Sequence, residues 1–518
     1  MVQKNITDSL ANDVSSDGAV ISSMLSEQPA EKLGIKLVTI LACIHLLIAA
    51  GVIINNLSHP AIIDSAESMH AFLAYEAGSG MRLYGPINPF VLALWYTPLA
   101  FQITGVVSSW FGYDIRVMRL IVALFFWATV MFLGMTVYRM TRNKYLALIG
   151  AGLFGGLNAG PWYYMLSPNG LHVLFAVLAV YLLIRDSSLR WPTVFAVILA
   201  LFASFWSKQT GLAYLAAGLL YFWIKDWRKG IVASIFAFLL IAGFAGYYIN
   251  QPESSFLSML FMHKNHPIMW KWIFNPVLFP EMLGRYGIMF AVVIAGIIGL
   301  GWKWDNWIKP EYVFLGAGAV VGLSCSIKYG SGFDSQGIFF CGMLIVCGMY
   351  FLNKFSREKK ISLPLMLGLL IVQSVVLFLH GYSSMIITSE DDVRFRKILD
   401  IMATPGKNVH YITQPFHNVL AGTKPYPSVG RDCWHNGVYD RSCYPESLRK
   451  FYEKDPFDII IIDLPLEDNS WMLYERINAN YVPTMEIPPL DPRQPSPNTL
   501  RNKKIVFYRK NLVGPRAQ

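Results

Sequence analysis

Charged side chains are scarce in this 518-residue sequence: Asp, Glu, Lys and Arg make up 15% of it, against 54% hydrophobic residues. A water-soluble domain usually carries about 25%, so much of the chain needs apolar surroundings. The mean hydropathy of +0.42 requires the same. Cysteine is also sparse, with 6 residues. No C-x-x-C or Cys/His spacing suits a zinc or redox site. Cys43, Cys325, Cys341 and Cys347 lie in or beside apolar runs and behave as small hydrophobes. There is no H-E-x-x-H, P-loop, dinucleotide fingerprint or nucleophile elbow, which argues against the metal, nucleotide and hydrolase chemistries those motifs carry. Residues 1–34 lack the apolar core of a signal peptide and read as a disordered cytoplasmic tail. The net charge of +10 does not point to nucleic acid. No basic stripe interleaves with aromatics, and the cations gather in short loops between apolar runs.

Those runs are what the sequence has in abundance. A membrane span needs roughly 20 apolar residues, and about eleven candidates occur, at 36–55, 115–138, 145–162, 169–184, 191–206, 211–224, 231–249, 286–302, 312–327, 337–352 and 363–380. Loop cations including Arg139, Arg142, Lys144, Arg185, Arg190 and Lys225 fall on one side, which should be cytoplasmic. An odd span count then puts the C-terminal residues outside. The expectation is a polytopic α-helical protein of the inner (plasma) membrane, with spans over 35–385 and external loops at 55–114 and 250–285. An extracytoplasmic small α/β domain at 386–518 follows, with strands at 408–413, 458–463 and 504–510 and helices at 392–403, 445–454 and 470–480.

The first external loop holds a helical pattern at 62–76. Ile62, Met69, Phe72 and Leu73 share one face, and Asp64, Glu67 and His70 the other, as in a helix lying in the interface with a solvated polar side. Residues 88–107 are apolar but carry Pro89 and Pro98, and read as a re-entrant or juxtamembrane helix rather than a span.

The residues able to do chemistry cluster on the external side. Asp64 could take a proton from a hydroxyl, with Glu67 as a second acid. Lys208 and Gln209, in FWSKQTGL, put an ammonium at the end of an apolar run, where it either snorkels or meets an anion such as a lipid phosphate. Arg82 and Arg119 could grip phosphate oxygens; for Arg119, pairing with Asp114 or Glu67 is the structural alternative. Tyr84, Asp334 and Gln336 lie in Gly-rich segments that could form a substrate loop, with a plain turn the simpler reading for 328–336. His263 and His266 have metal-compatible spacing, but two ordinary loop histidines are the simpler reading. The residues single out no cofactor, and a divalent cation is the one candidate. Cys433 and Cys443 would form a disulfide in an oxidising compartment.

The order of these elements adds to the reading. IIDSAESMHAFLAYEAGSGMRLYGP, then WYTPLAF, then FGYDIRVMRL, resembles the opening of the GT-C membrane glycosyltransferases. The likeness is to bacterial relatives of the protein mannosyltransferases and of the lipid A aminoarabinose transferase. Asp64 matches the first acid of their Asp-Glu motif, with Ser65 in place of the Glu. Tyr84, Tyr96, Pro98 and Arg119 match later elements. FWSKQTG is similar to a Lys-Gln-Thr element of the group. SPNGLHVLF sits where relatives often show Pro-Asp, so Asn169 stands in place of an acid. KYGSGFDSQ departs at Asp334, Ser335 and Gln336.

The resemblance implies an inverting transferase moving a sugar from a polyprenyl-phosphate donor to an acceptor hydroxyl on a glycan, lipid or protein. Asp64 would be the base, and Lys208, Gln209, Arg82 and Arg119 the phosphate binders. Membrane lipids are the other expected partners. The alternatives are a lipid-linked-sugar flippase or a non-catalytic binding relative. No inverted repeat or mid-span ionisable pair favours the first.

Overall fold

The computed structural model describes residues 29–62, 64–85, 96–156, 166–260, 278–300, 308–326, 337–379, 386–411, 414–424, 454, 457–464, 480–489 and 503–510. In chain order the helices are α1 (Pro29–Ser58), α2 (Ser65–Gly78), α3 (Leu99–Ser109), α4 (Ile115–Thr141), α5 (Lys144–Gly155), α6 (Asn169–Arg185), α7 (Trp191–Ser207), α8 (Gly211–Lys225), α9 (Trp227–Ile249) and α10 (Phe256–Leu260). They continue with α11 (Leu278–Leu300), α12 (Pro310–Ser326), α13 (Ile338–Arg357), α14 (Leu363–Leu379) and α15 (Ser389–Met402). Strand β1 (Val409–Tyr411), the short helix α16 (Pro415–Leu420), then β2 (Ile459–Leu464), β3 (Tyr481–Ile487) and β4 (Lys503–Arg509) complete the elements.

Every expected apolar run contains a helix. Among the described residues four helices are long and apolar enough to cross a membrane: Lys32–Ser58 within α1, α4, α9 and α13. The remaining runs contribute shorter apolar helical stretches of 10–17 residues, Arg285–Leu300 of α11 among them. Leu47, Phe238, Ile298 and Leu379 are 67–76% exposed, an arrangement that costs free energy in water and none in hydrocarbon. The chain is a multi-pass membrane protein. Its helices change direction at polar caps: Asp114 accepts from the Arg116 amide to start α4, Asn143 from Tyr145 and Leu146 to start α5, and Asp226 from Arg228 and Lys229 to start α9. Helix α13 lies inside the bundle and is buried along most of its length.

The described helix in the run at 145–162 ends at Gly155, and 157–165 lie outside the described residues. The apolar stretch 88–107 yields α3, whose 11 residues span only about 16 Å at 1.5 Å per residue, too short to cross, in keeping with the juxtamembrane reading. One expectation changes: α2 is not an interfacial helix with a wet face. Glu67, Ser68, His70 and Glu76 are as buried as Met69, Phe72 and Leu73, because α3 and α4 pack on one side of it and the C-terminal residues on the other.

The α2–α3 crossing needs two glycines. A Cβ on Gly105 would lie 2.0 Å from the Ala74 carbonyl oxygen, and one on Gly78 would lie 2.3 Å from the Gly105 carbonyl oxygen. Both obstacles are backbone, so the helices would have to separate. Gly105→Ala should cost about 1–3 kcal/mol or more. It should lower the thermal unfolding midpoint in detergent, whereas Gly243→Ala, which meets nothing within 4 Å, should not.

The C-terminal strands form one mixed sheet in the order β1-β2-β4-β3, with β1 parallel to β2 and the other pairs antiparallel. The unbroken IIII run makes β2 an interior strand, buried on both faces. β3 is the strand missed from sequence, because Pro483 argues against a strand. It occupies the edge of the sheet, where Pro483 adjoins a shift in register. Helix α15 starts with a full capping box between Thr388 and Asp391. The sheet, α15 and α16 share a single apolar cluster with α2, joining Ile62, Phe72 and Leu73 to Phe395, Tyr411 and Phe416.

Candidate active site

Asp64 is the N-cap of α2, with φ −130° and ψ 142°, and its Oδ1 accepts the Ala66 amide at 2.6 Å. The cap holds the half-buried carboxylate at the mouth of the helix. Two turns on, His70 Nδ1 lies 2.9 Å from the Leu166 carbonyl, and its ring sits 5.6 Å from Tyr96. Tyr96 in turn lies under the Lys208 ammonium, 5.9 Å from it. His70 follows Asp64 by six residues, so the acid and the Tyr96 contact are roughly 9 Å apart along the helix axis.

Lys208 is the C-cap of α7 and is only 5% exposed. Its Nζ donates to Asn169 Oδ1 at the start of α6. Burial lowers its pKa from 10.5 to about 8. Its ammonium meets this neutral amide and the Tyr96 ring, and Cys325 acts on it electrostatically, so among the described residues no carboxylate is recorded offsetting the charge.

His172, one turn after Asn169, secures this corner. The Ser204 hydroxyl donates to the His172 carbonyl at 2.9 Å and meets Nδ1 at 2.9 Å, which makes Nδ1–H the donor; Thr210 Oγ1 lies 3.2 Å from Nε2. The imidazole stacks on Tyr214 at 5.2 Å. Sequence reading did not single out His172, although its i,i+3 relation to Asn169 puts both on one face of α6.

Arg119 and Glu67 do something else. The five N–H groups of Arg119 are all used: two meet the Glu67 carboxylate at 2.8 and 2.7 Å, and the others reach the Asn56, His59 and Ala61 carbonyls at 2.9, 2.8 and 2.7 Å. Both side chains are buried. The pairing with Glu67 considered from sequence is what forms, and it ties the segment after α1 to α2 and α4. No donor of Arg119 is left for a phosphate.

Tyr84 is also engaged. Its buried hydroxyl donates to the Tyr96 carbonyl at 2.6 Å, its carbonyl accepts from the Ser255 amide at 2.9 Å, and burial pushes its phenol well above the ordinary value of 10.0. It holds the turn that presents exposed Arg82 and the segment that carries Tyr96. Gln209 is half-buried beside Lys208. Asp334, Gln336, His263, His266, Cys433 and Cys443 lie outside the described residues. Among the described residues no cluster of three His, Cys, Asp or Glu side chains could hold a metal.

The backbone that carries this rim is matched by solved structures. The chain is similar to ArnT from Cupriavidus metallidurans bound to undecaprenyl phosphate, with a TM-score of 0.57 and 12% identity over 92% of this chain and 98% of that one. The chain shares the fold of ArnT and of an archaeal oligosaccharyltransferase. The apo state of the same ArnT gives a TM-score of 0.51 and 13% identity, covering 91% and 98%. The Archaeoglobus fulgidus oligosaccharyltransferase in complex with Zn and sulfate gives 0.52 and 10%, covering 84% of this chain and 69% of that one. No protein-family model matches the sequence, and no curated protein matches it. The likeness to these structures is therefore carried by the path of the backbone.

Proposed function

We propose that this GT-C-fold protein is an inverting glycosyltransferase that moves a sugar from a polyprenyl-phosphate donor to an acceptor hydroxyl at the outer face of the membrane. The carrying observation is the buried Lys208 ammonium, held against a neutral amide and joined through Tyr96 and His70 to the helix that Asp64 caps. A buried cation is costly unless it is paired, and a phosphate monoester supplies the missing charge. ArnT, of the same fold, has been seen with such a lipid phosphate.

In the reaction, Asp64 removes the proton of the acceptor hydroxyl. The acceptor oxygen then forms a bond to the anomeric carbon from the face opposite the phosphate. The bond from that carbon to the phosphate oxygen breaks, and its electron pair leaves with the phosphate. The transition state has oxocarbenium character. Lys208, with exposed Arg82 near the same turn, neutralises the charge growing on the leaving phosphate. Arg119 and Glu67 hold the scaffold and take no part in transfer. In this reading about eleven spans put the N-terminus in the cytoplasm and the C-terminal sheet outside, so that the rim meets a lipid-linked donor from the periplasmic or extracellular side; the loop cations support that orientation.

The test is a panel of polyprenyl-phosphate sugars offered to the purified protein, with release of polyprenyl phosphate and labelling of acceptor both measured. Sugar transfer is expected. Movement of the donor across liposomes with no transfer would replace this reading with a flippase. For the Lys208 role, Lys208→Ala should weaken polyprenyl phosphate binding by about 10- to 100-fold.

The pH dependence follows from the sign of the shift. Lys208 titrates near 8 in the fold and near 10.5 unfolded, so below about pH 8 the folded protein carries a buried ammonium that opposes folding. That cost fades as pH rises from about 8 towards 10.5, where the unfolded chain also loses the proton. A bound phosphate offsets it, so polyprenyl phosphate should raise the unfolding midpoint more at pH 7 than at pH 9. Lys208→Ala should show no such difference.

A further inference from the structure

The residues on either side of Asp64 are held from two directions. From the bundle, Arg119 takes the carbonyls of Asn56, His59 and Ala61. From the C-terminal residues, Asp392 in the first turn of α15 takes the complementary groups. Its Oδ2 lies 2.6 Å from His59 Nδ1, and its Oδ1 accepts the Ala61 amide at 3.2 Å. Ala61 therefore gives its oxygen to one element and its N–H to the other, three residues before Asp64. Two further contacts continue the seam. Asn55 Nδ2 donates to the Ile387 carbonyl at 2.9 Å, and the Phe416 amide donates to Ser68 Oγ at 3.2 Å.

A carboxylate in a helix's first turn is favoured by the helix dipole alone, and Glu390 and Asp391 share that position. Asp391 is spent on the capping box with Thr388. Asp392 differs in direction, because both of its oxygens point away from its own helix at the 59–61 segment. That side chain is 11% exposed, and the imidazole it meets is 20% exposed. The apolar cluster repeats the connection, since α2 and the sheet bury the same set of side chains.

We propose that Asp392 and His59 are a positioning pair for the transfer reaction. In this reading the C-terminal sheet completes the active site by setting the angle at which α2 presents Asp64. The proposal rests on Asp64 being the base. It requires Asp392 to act through geometry, so its loss should misplace the carboxylate and leave the Lys208 corner intact.

The experiment uses the full chain in lipid nanodiscs. Wild type, Asp392→Ala, His59→Ala and Asp64→Asn are compared with the polyprenyl-phosphate sugar that supports wild-type transfer, and with undecaprenyl phosphate as a binding probe. Asp392→Ala should lower kcat by about 10- to 100-fold, the effect of a displacement near 1 Å, with undecaprenyl phosphate affinity and donor KM unchanged. Amide exchange at residues 59–66 should quicken about tenfold, with exchange in α4 and α13 as in wild type. His59→Ala keeps the Ala61 bond, so it should fold even if Asp392→Ala does not, and should show the same split with a smaller loss. Wild-type kcat and wild-type exchange at 59–66 in both variants would overturn the positioning role. So would a kcat loss that tracks faster exchange throughout the protein. The Asp64→Asn arm separates the two ideas: if that variant retains transfer, the base assignment is what fails, and the exchange at 59–66 decides by itself whether the seam orders α2.

Discussion

Asp64→Asn should abolish most sugar transfer and leave the protein folded. General-base help is worth typically about 10²–10⁴-fold, and an amide cannot accept the acceptor proton. The substitution is unusually clean at this position. Asp64 is the N-cap of α2, and its Oδ1 bonds the Ala66 amide. Asparagine is as good an N-cap as aspartate, so the helix start, the Arg119 clamp and the Lys208 corner should all persist. Asp64→Ala removes the cap as well, at a cost of about 1 kcal/mol, and would mix a folding effect with a chemical one. The measurement is single-turnover transfer with the purified variant, alongside its unfolding midpoint and its affinity for undecaprenyl phosphate. An Asn variant with near-normal turnover would remove Asp64 from the mechanism and leave Lys208 as a binding residue of some other activity.

The largest loss of stability should come from Arg119. Truncating it to Ala strands a fully buried Glu67 carboxylate and leaves the Asn56, His59 and Ala61 carbonyls without their donor. Removing one partner of a buried ion pair alone costs about 3–5 kcal/mol, a large share of the roughly 5–15 kcal/mol that holds a typical fold together. Arg119→Ala should therefore purify poorly or unfold many degrees lower. Arg119→Lys keeps the charge but has too few donors, in the wrong geometry, to serve two carboxylate oxygens and three carbonyls. It should fall between. The combination Arg119→Met with Glu67→Leu removes the stranded charge, so it should be milder than Arg119→Met alone. Size-exclusion profiles and thermal unfolding in one detergent decide this. A wild-type midpoint for Arg119→Ala would mean that the clamp carries little and that Arg119 is open to a donor-binding role.

The two substitutions differ in kind although both residues come from the same short list of external polar groups. Asp64 is half-buried at a helix cap, and among the described residues no carboxylate is recorded against the Lys208 ammonium. Glu67 and Arg119 satisfy each other and the backbone, and their conspicuous place in the sequence reflects the burial of an entire ion pair. The resemblance in motif order could not separate these cases, because a buried arginine and a phosphate-binding arginine look alike in a linear pattern.

Much of the architecture was legible because it depends on local properties. Run length and apolar content select a helix long before its neighbours are known, and every expected run contains one. The capping box at Thr388 and Asp391 and the interior strand Ile459–Leu464 also follow from neighbouring residues alone. So does the grouping of acid and cations between the same apolar runs. The exceptions had local causes too, since Pro483 hid an edge strand that needs few ladder bonds.

Pairing across the fold was decided only in three dimensions. The helical wheel of residues 62–76 is identical whether its polar face meets water or a buried guanidinium, so sequence alone read a solvated side where Glu67 and His70 are buried. Asn169 looked like a lost acid until the fold brought it to Lys208, 39 residues away. Asp392 lies 333 residues from His59, and no periodicity reports a contact of that separation. The sequence by itself determined a membrane protein with a GT-C-like order of polar motifs and a C-terminal segment of strands. The tertiary structure decided which of the described charges meet a partner of opposite sign and which are buried against neutral groups, because the worth of a charge depends on the partners and the solvent that burial leaves to it.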